Sequence, residues 1–187
     1  MPAGALLLVW SLHADLQTVS FWLDHAVKAA AIYLLVLDGG FVLLTGLCRL
    51  MGSNVIDFAR HPVLARTPAD FWRRYNREAG QFLYADVYHP LGGVHRPIAG
   101  ILAVFAVNGA LHEYLAVVMT GAVAGYQTAF FLLQGAAVAL TWRWRPRGVL
   151  ALCSWACTLA FMLVTSVLFF ESADQFIDWY SRGGLLP

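Results

Sequence analysis

Four stretches of about 20 predominantly apolar residues constrain this chain more than any other feature, because that is the length a helix needs to cross the hydrocarbon core of a bilayer. The sequence predicts spans over 26–47, 97–119, 121–142 and 149–170. Composition points the same way: 60% of the 187 residues are hydrophobic and 12% are charged, against roughly a quarter charged in an ordinary soluble domain. A water-soluble globule of this size cannot hide so much apolar surface, and a disordered chain needs the opposite balance. The expected fold is therefore an all-α integral membrane protein with about four transmembrane helices, built as a single embedded unit over 1–187. Residues 1–25 form an N-terminal segment, 50–96 a long interfacial segment and 171–187 a tail. The 12 basic and 11 acidic side chains nearly cancel, so no overall basic field argues for nucleic acid.

Charge is unevenly distributed along the chain. Residues 49–96 hold seven arginines against Asp57, Asp70, Glu78 and Asp86, a net +3, and Arg143, Arg145 and Arg147 add another +3 between the third and fourth spans. Four alternating spans place both segments on one side, which the positive-inside rule makes cytoplasmic. The other side receives Asp15, Asp24, Lys28, Glu171, Asp174, Asp178 and Arg182. The WRWRPR loop (142–147) reads as an interfacial anchor and topology signal, since Trp and Arg both favour that depth. Asp38, at mid-depth in the first span before Gly39 and Gly40, marks a helix break whose exposed backbone it caps, or a proton relay. Cys48, Cys153 and Cys157 read as buried thiols, with Cys153 and Cys157 one helical turn apart on one face.

The segment 50–96 is not an ordinary loop. Thr67 can cap a helix, Pro68 suits its first position, and Asp70 stands where a capping box places its acceptor. At helical spacing Phe71, Trp72, Tyr75, Ala79, Phe82 and Leu83 fall in one arc and Arg73, Arg74 and Arg77 fall opposite, the pattern of an amphipathic helix lying in the interface. Pro90-Leu91-Gly92-Gly93 then breaks regular structure before the second span.

The second span carries Asn108, His112 and Glu113 among apolar residues. Ionisable and polar groups in hydrocarbon are costly, so each is a functional candidate by default. Asn108 and His112 are four apart and share a face, while Glu113 points about a hundred degrees away. A neutral imidazole there keeps a free nitrogen to take the proton from an attacking hydroxyl, and a nearby amide such as Asn76 can hold that hydroxyl or donate to an oxyanion. The bland alternative is a His112 that only bonds a neighbouring helix. His61, His89 and His95 give no spacing that resembles a tetrahedral set with His112, so no metal is expected.

The string FWRRYNREAGQFLYADVYHPLGG (71–93), followed by NGALHEYL (108–115), resembles the signature region of the membrane-bound O-acyltransferase superfamily. That family has an arginine-and-aromatic segment ending in a polar residue, a Tyr-x-Pro-Leu element and then an intramembrane His. The resemblance implies that His112 is the catalytic base, that Asn76 is its polar partner, and that Tyr88, Pro90 and Leu91 form the structural element between them. Substrate contacts are expected from Trp72, Arg73, Arg74, Tyr75, Arg77, Asn108, Glu113 and Tyr114. The arginines would meet either coenzyme A phosphates or anionic lipid headgroups. The implied reaction is acyl transfer from acyl-CoA, as co-substrate with no further cofactor, to a long-chain or other lipid alcohol. His112-Glu113-Tyr114 is similar to the lipid-esterifying, wax synthase-like branch, whereas Tyr88-His89-Pro90-Leu91 resembles the bacterial polysaccharide O-acetyltransferases as much. The placement expected from this reading is a bacterial inner membrane.

Family members have more spans than four, so the chain resembles the C-terminal catalytic part of the fold. A short or truncated member would need a second copy or a partner membrane subunit to complete its tunnel. Two further alternatives are a non-catalytic subunit and a small transporter using Asn108, His112 and Glu113 as a polar path.

Overall fold

A computed structural model describes residues 2–14, 16–177, 179–180 and 183–184, and every regular element among them is helical. Asp15, Asp178, Arg182 and the Asp38 side chain, all named above from the sequence, fall outside the described residues. Helix α1 (Pro2–His13) lies against the next helical rod, which the backbone of Gly4 approaches so closely that a Cβ there would stand 2.6 Å from the Leu35 nitrogen. The rod begins as α2 (Phe21–Ile32), widens into a π-helical stretch (Tyr33–Gly40) and continues as α3 (Phe41–Leu50).

This helix therefore extends beyond the expected 26–47 at both ends. Asp24 and Lys28, which suggested a membrane boundary, form a buried ion pair at 2.9 Å, and Lys28 also donates to the Trp179 carbonyl at 2.6 Å. Paired charges cancel most of the cost of leaving water, so the helix need not stop before them.

The expected amphipathic helix is two helices, α4 (Pro68–Arg74) and α5 (Arg77–Leu83). Asn76 stands between them in the left-handed region (φ 36°, ψ 63°), and its Oδ1 accepts from the Ala79 N–H at 3.4 Å as the cap of α5. Residues 58–60 hold the break from outside: Arg60 N–H donates to Arg74 O and Arg77 N–H to Phe58 O. The single apolar arc is thereby divided. Trp72 and Tyr75 pack inward, while Phe82 is exposed.

Helices α6 (Pro97–Thr120) and α7 (Tyr126–Thr141) form an antiparallel hairpin, and α8 (Val149–Ile177) packs against it. The contact between α6 and α7 is reciprocal. Phe105 of α6 sits on Gly135 of α7, where a Cβ would stand 2.7 Å from Phe105 Cβ, and Phe131 of α7 sits on Gly109 of α6 at 3.1 Å. Small residues that admit a large partner in this way are a common solution to helix packing in lipid.

The expected third span, 121–142, is shorter than predicted. Gly121 ends α6 in a left-handed turn (φ 76°), and Gly125 (φ 80°) precedes α7. The 16 residues of α7 reach only about 24 Å against a core of about 30 Å. Three helices among the described residues are long and apolar enough to cross: Phe21–Leu50, Pro97–Thr120 and Val149–Gln175.

Burial follows the logic of lipid rather than of water. Gln127, Gln134, Ser154, Thr158 and Thr165 point inward, whereas Leu133, Leu140, Leu152 and Val164 point out. Cys153 and Cys157 are likewise exposed rather than buried. Apolar side chains lose nothing by facing hydrocarbon, so the interior is claimed by groups that need hydrogen bonds.

Candidate functional site around His112

His112 lies on α6, half-buried, with its ring against Phe131 of α7 (4.6 Å between centroids) and Phe169 of α8 (5.9 Å). No described residue hydrogen-bonds its ring nitrogens, nor the Asn108 side chain one turn earlier on the same face. The imidazole is thus held by aromatic walls while its nitrogens stay available for proton transfer, the condition a general base must satisfy.

Glu113, expected beside the substrate, closes the hairpin. Its carboxylate accepts from Gly125 N–H at 2.6 Å, Thr128 N–H at 3.1 Å and the Thr128 hydroxyl at 3.4 Å. A carboxylate at a helix N-terminus satisfies donors that the helix itself cannot pair and complements its dipole. Fixing α7 in this way places Phe131 over His112. Tyr114 is 65% exposed and projects away from the helix contacts.

Trp72 and Tyr75 connect α4 to this centre. Trp72 packs edge-on against Phe105 at 5.2 Å and lies 5.8 Å from Phe131, while Tyr75 stacks on Phe71 and meets Phe41. Burial pushes the Tyr75 phenol above its ordinary pKa. Among the described residues no hydrogen bond joins Asn76 to His112; ring contacts run from Tyr75, beside Asn76, through Trp72 to Phe131, which touches His112. Asn76 uses Oδ1 as a cap and keeps Nδ2 as a donor.

Two buried glutamines on α7 escaped the sequence reading. Gln134, with no exposed surface, accepts from Trp72 Nε1 at 3.0 Å and donates to Thr165 Oγ1 at 2.8 Å, tying α4, α7 and α8 together. Gln127 donates to Phe169 O at 3.4 Å, and its Oε1 is buried without a partner among the described residues. Amides inside an apolar helix were the available signal.

A second polar cluster also went unread. His25 accepts or donates through Nδ1 to the Tyr180 hydroxyl (2.8 Å) and through Nε2 to Leu163 O (2.9 Å) and Ser166 Oγ (3.0 Å), and its ring meets Phe170, next in sequence to the Phe169 that touches His112. Since a carbonyl can only accept, Nε2 carries the proton and Nδ1 accepts from Tyr180. Every polar atom of this ring is satisfied, which marks His25 as structural.

The two basic segments meet at one end of the helices. A cavity of about 570 Å³ is lined by Arg66, Arg73 and Arg74 from one segment and Arg145 and Arg147 from the other, with Asp70 as the acidic group. Thr67 Oγ1 accepts from Asp70 N–H, and Asp70 in turn accepts from Arg66 N–H and pairs with Arg74 at 3.1 Å. Burial alone would raise the Asp70 carboxyl, but the Arg74 and Arg66 bonds and the charges of Arg74 and Arg73 outweigh it and hold it below its ordinary pKa. Burial and the nearby Arg145 charge push the Arg73 guanidinium down. Arg77 lies apart, donating to Asp57 O at 3.2 Å. The loop read as an anchor thus supplies a cavity wall. No group of acidic, His and Cys side chains able to hold a metal occurs among the described residues.

The chain matches the family described as MBOAT, membrane-bound O-acyltransferase family, over residues 4–173. Three curated relatives come from Arabidopsis thaliana. "Probable long-chain-alcohol O-fatty-acyltransferase 7" is 30% identical across 82% of this chain and 50% of its own length. "Probable long-chain-alcohol O-fatty-acyltransferase 1" is 34% identical across 48% of the chain and 29% of its length, and "Probable long-chain-alcohol O-fatty-acyltransferase 2" is 33% identical across 63% and 38%. The chain thus spans half or less of the length of these relatives. Since they are plant proteins, they lend no support to a bacterial inner membrane. No solved structure matches the chain.

Proposed function

From the premise that this chain belongs to the membrane-bound O-acyltransferase family, we propose that it transfers a fatty acyl group from acyl-CoA to the hydroxyl of a lipid alcohol, with His112 as general base. The observation that carries this reading is the His112 imidazole, fixed between Phe131 and Phe169 with no described partner for its nitrogens. A ring nitrogen takes the acceptor's proton as the alcohol oxygen attacks the thioester carbonyl. The tetrahedral adduct then expels the thiolate, which takes the same proton back from the imidazolium, leaving an ester and free coenzyme A.

Arg73 and Arg74, joined by Arg66, Arg145 and Arg147, face a cavity suited to the donor's phosphates through charge-assisted bonds. Asn76 Nδ2 is the donor on the Trp72 side that would orient a reacting group. The long-chain-alcohol names of the relatives support a fatty alcohol as acceptor. The basic end faces the cytoplasm in this reading, where acyl-CoA is supplied.

The test is ester formation from labelled acyl-CoA and a long-chain alcohol in membranes holding the full chain. His112→Ala should abolish product while expression and insertion stay at the parent level; unchanged ester formation in that variant overturns the assignment. A second reading, that a second copy or another membrane subunit must complete the tunnel, is favoured by the half-length coverage of the first relative. It predicts that activity appears only on co-expression with that subunit or at concentrations that populate a dimer.

A further inference from the structure

A second cavity lies at the basic end, between the start of α6 and the end of α7, with a volume of about 610 Å³. None of its lining residues belongs to the five-arginine cavity. Its walls are Ile98, Ala99, Leu102 and Trp142, and the charged groups on it are Arg96 and Arg143. Among the described residues neither arginine pairs with a carboxylate. Arg143 is nevertheless positioned, with its guanidinium 5.0 Å from the centroid of the Trp142 ring. Ile98 is 53% exposed and Leu102 39% exposed, so the apolar wall is open along the side of the hairpin.

The chemistry of this groove is amphipathic in one direction. Arg96 immediately precedes α6 and Trp142 immediately follows α7, so the cations lie at the depth of helix ends, where headgroups sit. Ile98 to Leu102 runs about one helical turn, roughly 6 Å, toward the hydrocarbon. A free nucleotide would find two cations but no polar partners for a base or sugar on the remaining walls. A phosphodiester carried on acyl chains satisfies both halves: the phosphate between two guanidinium groups, and a chain along Ile98, Leu102 and Trp142.

We propose that this groove binds an anionic phospholipid, its phosphate held by Arg96 and Arg143. The site stands apart from the acyl-transfer reading and holds whether or not that reading does. The loop 142–147 then serves two cavities, Trp142 and Arg143 lining one and Trp144 to Arg147 the other.

The test uses the full chain in neutral detergent micelles, titrated with phosphatidylglycerol or phosphatidylcholine, with bound lipid counted by native mass spectrometry. The parent should retain phosphatidylglycerol preferentially. Each arginine near a headgroup contributes about a fivefold preference, so Arg96→Gln with Arg143→Gln should weaken that preference roughly 25-fold. Arg145→Gln with Arg147→Gln, outside this groove, should weaken it less. Because exposed arginines tolerate replacement, Trp142→Ala serves as a second probe: it removes both the wall and the seat of Arg143 and should shorten lipid retention. Equal retention of the two lipids by the parent overturns the proposal. So does an unchanged preference in the Arg96/Arg143 variant, or its loss only in the Arg145/Arg147 variant. Competition by glycerol 3-phosphate at the lipid's own concentration would overturn the lipid assignment in favour of a free phosphate site.

Discussion

Glu113 offers the sharpest test of how the site is held. Its carboxylate bonds Gly125 N–H at 2.6 Å and Thr128 N–H at 3.1 Å, with the Thr128 hydroxyl more distant at 3.4 Å. Glu113→Gln keeps one acceptor oxygen and turns the other into an NH₂ group facing an N–H, so one backbone bond is lost. A bond to a charged acceptor is worth roughly 1.5–3 kcal/mol net, so the Gln variant should lose about 2 kcal/mol and Glu113→Ala, which loses both, about 4 kcal/mol. At about 2–4 °C per kcal/mol for a chain of this size, the apparent Tm should fall by about 4–8 °C for Gln and about twice that for Ala. Thermal unfolding in detergent, followed by tryptophan fluorescence, reads the shift, and limited proteolysis should show new cleavage within 121–125. A Gln variant as stable as the parent, or an Ala variant no worse than Gln, would refute the capping argument.

Three further outcomes follow from the packing and the charges. Gly135→Ala puts a Cβ 2.7 Å from Phe105 Cβ and should cost about 1–3 kcal/mol, more than Gly109→Ala, whose Cβ meets Phe131 at 3.1 Å; paired Tm measurements decide the order. Tyr180→Phe deprives the buried His25 Nδ1 of its donor and should destabilise by about 1–3 kcal/mol, read as a lower Tm with helix content unchanged by circular dichroism. Asp70 is held below its ordinary pKa of 3.8, so its stabilising contribution is fully present above that value and is lost as pH falls through the lower, folded one. The Tm gap between the parent and Asp70→Asn should therefore be constant near neutrality and shrink below about pH 4; a gap that widens on acidification would reverse the sign of the argument.

Much of the site was legible residue by residue, but its connections were not. Thr67 as a cap, Pro68 at the first helical turn and His112 as an intramembrane polar group all follow from local rules, and the structure places the first two at the start of α4. The division of residues 67–83 at Asn76 was hidden because helical spacing treats each position as helical, whereas a left-handed Asn is stabilised by the bonds that residues 58–60 bring from outside. The bonding of Glu113 was hidden for a related reason. One helix shows only that a carboxylate lies in hydrocarbon; the donors that satisfy it belong to Gly125 and Thr128 on the next.

Sequence alone determined that the chain is helical and membrane-embedded, since apolar length and sparse charge admit no other way to satisfy a backbone in lipid. It also determined which residues carry the family's motif and which segments are basic. Only the tertiary structure decided that Asp24 and Lys28 are buried together, and that Arg66, Arg73, Arg74, Arg145 and Arg147 share one cavity while Arg96 and Arg143 share another. The physical reason is common to both. Hydropathy reports the cost of each side chain in lipid by itself, and that cost changes as soon as a partner distant in the chain supplies a countercharge, a hydrogen bond or a neighbouring helix.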